Sequence, residues 1–465
     1  MFHQIREIKN MRSIWLPAAV LVVLNICPSA VHAAQPNIIF LFADDQRADT
    51  LGCMGNKIIQ TPHIDKLAER GVTFDNAFVT TAICMINRAC CMTGQYAARH
   101  GVIDFRTNFT DEQLAQTYPA MLSDAGYRIG FIGKWGVGRP PKDMFDYNKG
   151  FAGQGNFNLR YQGKTRHLTS VMGDQAIEFL DGCKKNEPFC LSVSFKAPHV
   201  QDTSNVNQQA FPFDPKLKTL YTDVKIPMPE TADWSYFNRL PDFLKNSENR
   251  ARWAVRFWGP QRYQDQVKSY YRLISGIDVT VGRIVEHLAK RGMTENTVII
   301  YSSDHGFYLG EYGFAGKWFA HEVSIRVPLI IADPHMDESQ RGTRRDQMAL
   351  TIDLAPTILA LGGVDAPKKM QGANLLPVIK DEGSESRPEF YYEHMFQHRS
   401  IPRSEGVRTK KWKYMRYIDS KPLFEEMYDL ENDPDEKMNL ATSGEHSESL
   451  AKLRGKCDRL RESVK

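Results

Sequence analysis

Residues 37–42 read NIIFLF and residues 297–303 read TVIIYSS, two short continuous apolar runs. Runs of that length form buried strands, because a buried helix needs a longer stretch. Between such runs lie segments with helical periodicity. This alternation specifies an α/β domain. Further strands are expected at 128–132, 189–195 and 327–332, and helices at 61–70, 118–125, 170–180 and 261–291. Thr61 is placed to cap the first of these helices, with Pro62 at its first position. Residues 200–260, rich in Asn, Pro and aromatics, interrupt the pattern and read as an inserted loop region. From about residue 385 the texture changes to short strand-like pieces at 390–393 and 412–417, followed by a charged helix from about 445. The expected organisation is a large α/β domain over 34–384 and a smaller C-terminal α+β subdomain over 385–465.

The N-terminus carries Arg6, Lys9 and Arg12 ahead of an apolar stretch at 14–26, and then Val31-His32-Ala33. A positive start, a short apolar segment and a small-residue site define an export signal, so residues 1–33 are expected to leave and Ala34 to start the mature chain. The apolar stretch is too short to span a bilayer, and stable membrane insertion is not expected. A net charge of +4 over 465 residues, with no long basic run, gives no reason to expect nucleic acid as a partner. Seven cysteines remain after Cys27 departs with the signal. An odd number in an exported protein leaves at least one unpaired or modified. Cys183 and Cys190 flank an expected turn and are candidates for pairing.

Two polar pairs follow directly on strands. Asp44-Asp45 closes the first apolar run, and Asp304-His305-Gly306 closes TVIIYSS. Ligands of open α/β sheets gather at the carboxyl ends of strands. Three carboxylates and one imidazole delivered there suit Ca²⁺ or Mg²⁺ better than a soft metal, although the imidazole also tolerates Mn²⁺ or Zn²⁺. Taken alone, either pair reads equally well as a polar strand end or a helix cap.

The segment Cys84-Met85-Ile86-Asn87-Arg88, followed by Thr93-Gly94, resembles the sulfatase signature. Cys84, Arg88, Thr93 and Gly94 match. Ile86 and Asn87 stand where the signature has Pro or Ala and then Ser. Further segments are similar to the family in the same order: residues 37–45, GKWGVG at 133–138, FKAPH at 195–199, SDHG at 303–306 with LGE at 309–311, and Gly316-Lys317 with Glu322 and Arg326-Val327-Pro328. Residues 413–414, 428–430, 433–434 and 439–440 resemble its C-terminal part. Gly136 stands where most members have histidine.

The resemblance implies an alkaline-phosphatase-like fold, with a large mixed sheet flanked by helices and the smaller C-terminal subdomain. It implies that Cys84 is oxidised by a sulfatase-maturing enzyme to formylglycine, whose hydrate attacks sulfur in a covalent mechanism. Asp44, Asp45, Asp304, His305 and position 84 would hold the metal, with Ca²⁺ expected before Mg²⁺. Arg88 and Lys134 would fix the nucleophile. His199 and Lys317 would bind sulfate and the bridging oxygen, and one of them would protonate the leaving group. Glu322 and Arg326 would support Lys317. The expected substrate is a sulfated carbohydrate, met in the periplasm or outside the cell. Trp234, Tyr236, Phe237, Trp253 and Trp258 are available to stack on sugar rings. Two other readings compete: a phosphate or phosphonate ester hydrolase of the same superfamily, and a silent sulfated-glycan-binding protein.

Overall fold

The computed structural model describes residues 35–202, 205 and 208–465. The expected export signal lies outside the described residues. In chain order the strands begin with β1 (Asn37–Ala43), β2 (Val72–Phe78), β3 (Arg128–Lys134) and β4 (Tyr147–Phe151). A separate hairpin, β5 (Asn158–Tyr161) and β6 (Lys164–His167), follows. Then come β7 (Phe189–Ser194) and β8 (Thr297–Ser303), the short pair β9 (Tyr308–Leu309) and β10 (Ala315–Gly316), and β11 (Leu329–Ala332) and β12 (Thr343–Leu350).

Eight of these strands form one sheet in the order β12-β2-β11-β8-β1-β7-β3-β4. Only β11 runs antiparallel to its neighbours, β2 and β8. The adjacent strands β8, β1, β7 and β3 are all parallel. Their carboxyl ends therefore share one edge, and the loops that leave them are the natural place for a site.

Side chains alternate across each strand. In β1, Ile38, Phe40 and Phe42 enter one hydrophobic cluster, while Ile39, Leu41 and Ala43 enter the other. This is why residues 38–43 are apolar at every position: helices cover both faces. The long helix Pro260–Lys290 supplies Ile274, Ile277 and Val281 to one face. The helix Cys84–Thr93 supplies Met85, Ile86 and Ala89 to the other, and every one of its ten residues is buried.

The C-terminal region is an antiparallel meander of β13 (Glu389–His394), β14 (Ser404–Thr409), β15 (Trp412–Tyr417) and β16 (Phe424–Asp429), with the helix Ser447–Ser463. Tyr391, Tyr414, Leu450 and Cys457 belong to the same cluster as the Cys84 helix. The meander thus seals the face of the large sheet that carries that helix.

Several local expectations need correction. The helix after Thr61 starts at Pro62, but the Thr61 hydroxyl donates to Asp65 Oδ1 (3.1 Å) and does not cap the backbone. Asp278 of the long helix accepts from the His63 and Ile64 amides instead, at 2.9 and 2.8 Å. Cys183 and Cys190 are not paired: Cys183 donates to the Phe179 carbonyl, and Cys190 is buried in β7. Residues 200–260 are not only loop, since they hold the helices Trp234–Asn238, Asp242–Lys245 and Glu248–Arg256. Glu322 and Arg326 serve other partners than Lys317. Glu322 pairs with Lys413 (2.6 Å), and Arg326 donates to the Asp75 carbonyl (2.8 Å).

Candidate active site

The carboxyl edge of β8-β1-β7-β3 brings the expected residues together. Asp44 and Asp45 follow β1, Asp304 and His305 follow β8, Lys134 ends β3, and His199 follows β7. Asp44, Asp45, Asp304 and His305 are all fully buried, and each offers a ligand atom within 4.8 Å of the others. Asp45 sits at φ 66°, a left-handed conformation that aspartate tolerates better than most residues. Its amide donates to Asp304 Oδ1 (3.1 Å) and its carbonyl accepts from Tyr270 (2.6 Å), which fixes the turn.

Cations surround these carboxylates. Lys134 reaches Asp44 Oδ2 at 2.5 Å, and Lys317 reaches Asp45 Oδ1 at 2.6 Å. Arg88 lies 2.9 Å from Asp304 Oδ2 and 3.3 Å from Asp44 Oδ2. Arg88 also donates to the Lys134 carbonyl (3.2 Å) and to Ser194. Lys134 donates in addition to Gln154 (2.8 Å). All three cations are at most 4% exposed, so these pairs are shielded from the screening that weakens surface ion pairs.

Burial works to raise Asp44, yet the charges of Lys134 and Arg88 overcome it and hold this carboxyl well below the usual range. Asp304 is pushed up to about 6 by burial and by the charge of Asp44. Burial also raises Asp45. The three acids repel one another, and the cations do not neutralise all of them equally. His305 is pushed down to about 3 by burial and Lys317, and His199 is held well below its usual value by the same two causes. Both imidazoles are therefore neutral. His305 Nδ1 donates to the Gly306 carbonyl (3.0 Å), and His199 Nδ1 to the Val200 carbonyl (2.7 Å). Each ring thus turns an unprotonated Nε2 inward, as a ligand or proton acceptor requires.

The arrangement fits a hard divalent cation. Asp44 Oδ1, Asp45 Oδ2 and His305 Nε2 are buried with no hydrogen-bond partner among the described residues. Orphaned acceptors of this kind are costly unless something fills the space between them. A set of three carboxylates with one imidazole is the donor chemistry such a cation takes. Cys84, the fifth expected ligand, is not one of these four. It begins the helix Cys84–Thr93, is buried, and interacts electrostatically with Arg88, Lys134 and Lys317.

A sulfatase family model matches residues 36–364, and a model of the N-sulphoglucosamine sulphohydrolase C-terminal region matches residues 310–463. The chain belongs to the sulfatase family. It is a sulfuric ester hydrolase built on that family's fold. The sulfatase is 30% identical to an N-acetylglucosamine-6-O-sulfatase of Bacteroides thetaiotaomicron, over 96% of this chain and 89% of that one. It is 28% identical to the human N-acetylglucosamine-6-sulfatase, over 78% of this chain and 68% of that one. A solved structure described as complexed with its substrate D-glucosamine-2-N,6-O-disulfate superposes with TM-score 0.76 at 28% identity. It covers 92% of this chain and 98% of the other. Phosphonate monoester hydrolase of Agrobacterium radiobacter shares the fold, with TM-score 0.69 at 20% identity.

The sequence assigns no role to several neighbours of the site. Asn87 donates to the Asp304 carbonyl (2.6 Å) and accepts from Thr351 (2.8 Å), tying the Cys84 helix to the loop that carries Asp304 and His305. Asn249 donates to the Lys317 carbonyl (2.9 Å). Lys196, from the FKAPH segment, is pushed down to about 8 by burial. Gly136 sits at φ +90°, and a Cβ there would lie 2.4 Å from Arg88 Cδ. The glycine is where the Arg88 side chain passes.

Proposed function

We propose that this sulfatase removes a 6-O-sulfate from an amino sugar of a sulfated glycan, using formylglycine made from Cys84 and a bound Ca²⁺. The observation that carries this reading is the convergence of Asp44, Asp45, Asp304 and His305 beside Cys84, with Arg88, Lys134 and Lys317 around them. The names of two relatives, both acting on N-acetylglucosamine 6-sulfate, support the choice of sugar.

Asp44, Asp45, Asp304 and His305 would hold the metal, which supplies positive charge to the sulfate oxygens and lowers the pKa of a nearby hydroxyl. Formylglycine, once hydrated, supplies a nucleophilic oxygen that a thiol cannot. This chain's own residues do the remaining work. Arg88 and Lys134, anchored on Asp44 and Asp304, hold the nucleophilic side chain by charge and by fixed geometry. Lys317, anchored on Asp45, offers its ammonium to the bridging oxygen. His199 keeps its Nε2 3.7 Å from Asp45 Oδ2 and takes or gives a proton at that atom. The burial of the whole set excludes bulk water, which strengthens each charge.

The protein acts, on this reading, after export and cleavage near Ala33, and it depends on a maturing enzyme that accepts Ile86 and Asn87. No described helix is long and apolar enough to cross a membrane. The test is the mass of the tryptic peptide 71–88 from protein made with a sulfatase-maturing enzyme, followed by sulfate release from N-acetylglucosamine 6-sulfate. The expected results are a peptide mass showing that the thiol has become an aldehyde, and release of inorganic sulfate. A thiol that persists, or a preference for the matching phosphate ester, overturns the proposal.

A further inference from the structure

The helix Glu248–Arg256 belongs to the irregular insertion, yet it lies against the loop that carries Lys317. Asn249 fixes it there through the Lys317 carbonyl. Three residues on, the Arg252 guanidinium lies 4.7 Å from the ring centroid of Trp318. Four residues further, Arg256 lies on the same helical face. Its guanidinium is 5.8 Å from the Phe307 ring, just after His305 in the chain. Its charge interacts with Asp45. Trp318 itself is held at φ 87°, a costly conformation for a bulky residue, with its carbonyl bonded to Tyr392 (2.5 Å). Strain of this kind persists where surrounding structure imposes it, commonly beside a ligand.

Arg256 is only 4% exposed, but its charge is poorly answered. Nη2 reaches Asp202 Oδ1 at 3.2 Å, and Arg252 also approaches that oxygen, at 3.8 Å. Asp202 is half exposed, so it screens weakly. Arg252 has Glu248 as its own partner at 2.9 Å. Nη1 of Arg256 is buried and has no hydrogen-bond partner among the described residues. Burial and the neighbouring Arg252 push Arg256 down to about 10, which still leaves it charged at neutral pH. A buried guanidinium with an unused donor, packed on Phe307 and interacting with Asp45 of the site, is a poor structural element. An oxyanion docking on it would supply the missing acceptor, with the fork geometry that arginine favours.

We infer that Arg256, aided by Arg252, is a specificity-determining residue that binds a second anionic group of the substrate, a sulfate or carboxylate carried near the 6-O-sulfate under attack. This inference rests on the proposed glycan sulfatase reading and narrows its substrate to multiply charged sugars. It gives the inserted helix a role that its sequence does not display.

The experiment compares kcat/KM of the matured enzyme on N-acetylglucosamine 6-sulfate and on glucosamine 2-N,6-O-disulfate, in wild type and in Arg256→Gln. A third probe is a 6-O-sulfated disaccharide bearing a uronate. The wild type is expected to favour at least one doubly charged substrate tenfold or more, mainly through KM. Arg256→Gln is expected to reduce that preference at least tenfold. Preference for the disulfate assigns the group to a sulfate, and preference for the uronate assigns it to a carboxylate. A ratio near one in the wild type, or an unchanged ratio in Arg256→Gln, overturns the inference. Calorimetric binding of the same sugars to Cys84→Ser, with and without Arg256→Gln, reads the subsite without turnover. Absence of sulfate release by the wild type would then count against the catalytic reading, while the binding ratio would still decide the role of Arg256. Melting temperatures within a few degrees of the wild type confirm that each variant is folded.

Discussion

Restoring the residue that most sulfatases carry at position 136 is expected to damage this one. Gly136 adopts φ +90°, and its missing Cβ leaves the space that Arg88 Cδ occupies, 2.4 Å from where a Cβ would stand. Arg88 cannot swing aside at low cost. Its guanidinium is tied to Asp304, Asp44, Ser194 and the Lys134 carbonyl, and it is 2% exposed. Any side chain at 136 therefore carries two costs. The left-handed backbone costs about 1–2 kcal/mol for a residue with a Cβ. Displacing Arg88 costs at least one charge-assisted hydrogen bond, about 1.5–3 kcal/mol. The sum, about 3–5 kcal/mol, corresponds to a fall in melting temperature on the order of 5 °C for a chain of this size. Moving one preorganised donor off the reacting group is expected to lower kcat/KM by about 100-fold. Gly136→Ala and Gly136→His should thus behave alike, in thermal melts and in sulfate release. If Gly136→His instead raises turnover, the glycine marks a missing catalytic group and not the path of Arg88, and the steric argument is wrong.

Asn87→Ser shortens the side chain that bridges the Asp304 carbonyl and Thr351. Its metal affinity is expected to fall by about 10-fold or more, the usual cost of losing a residue that orients a ligand, as read by titration of the apo-protein. Glu393 is buried in β13 and pushed up to about 7 by burial, against an ordinary value of 4.5. A carboxyl raised in the folded state stabilises most below its unfolded pKa, and that contribution fades as pH climbs from 4.5 to 7. The loss is about 3 kcal/mol at most. Urea midpoints at pH 5 and pH 8 should therefore converge in Glu393→Gln relative to wild type. Equal midpoint differences in both proteins would refute the assignment.

The sequence exposed those parts of the fold whose causes are local. Residues 38–43 and 298–301 are apolar at each position because both faces of the sheet are covered, and each run ends within two residues of the end of its strand. The polar pairs that follow are therefore visible as breaks in a pattern. β2 and β12 escaped notice because VTFDNAF and TRRDQMAL carry charged and polar residues among their apolar ones. They pair side by side at one end of the sheet, where β12 is the edge strand and polar side chains can reach solvent. The cap of the Pro62–Arg70 helix was misread for a different reason. Thr61 is the right residue type, but Asp278, more than 200 positions away, does the capping. Among the site residues, Arg88, Lys134, His199 and Lys317 carry no local signature. Each is an ordinary polar residue until tertiary contact gives it a carboxylate partner, and only the ordered resemblance to the family singled them out. Gln154, Ser194 and Arg256 lack even that.

The charges of the site lead to a final expectation. Three carboxylates, Asp44, Asp45 and Asp304, face three cations, Arg88, Lys134 and Lys317, while His199 and His305 are neutral. Within this set the charges cancel and each of the three cations already has a carboxylate, while Lys196 and Arg256 interact with Asp45 from outside the set. A set balanced in this way contributes little net attraction for the sulfate under attack. Its orphaned acceptors, Asp44 Oδ1, Asp45 Oδ2 and His305 Nε2, are suited to a divalent cation that tips the balance positive. Anion affinity should then follow metal occupancy. Inorganic sulfate is expected to raise the melting temperature of the Ca²⁺-loaded protein and to leave the chelator-treated protein nearly unmoved. Ca²⁺ alone, at 100 times its Kd, should stabilise the folded chain by about 3 kcal/mol through mass action. Substituting Asp304→Asn should abolish both effects together. If sulfate protects the metal-free protein equally well, the cations are not neutralised by the carboxylates, and the charge balance drawn from these distances is wrong.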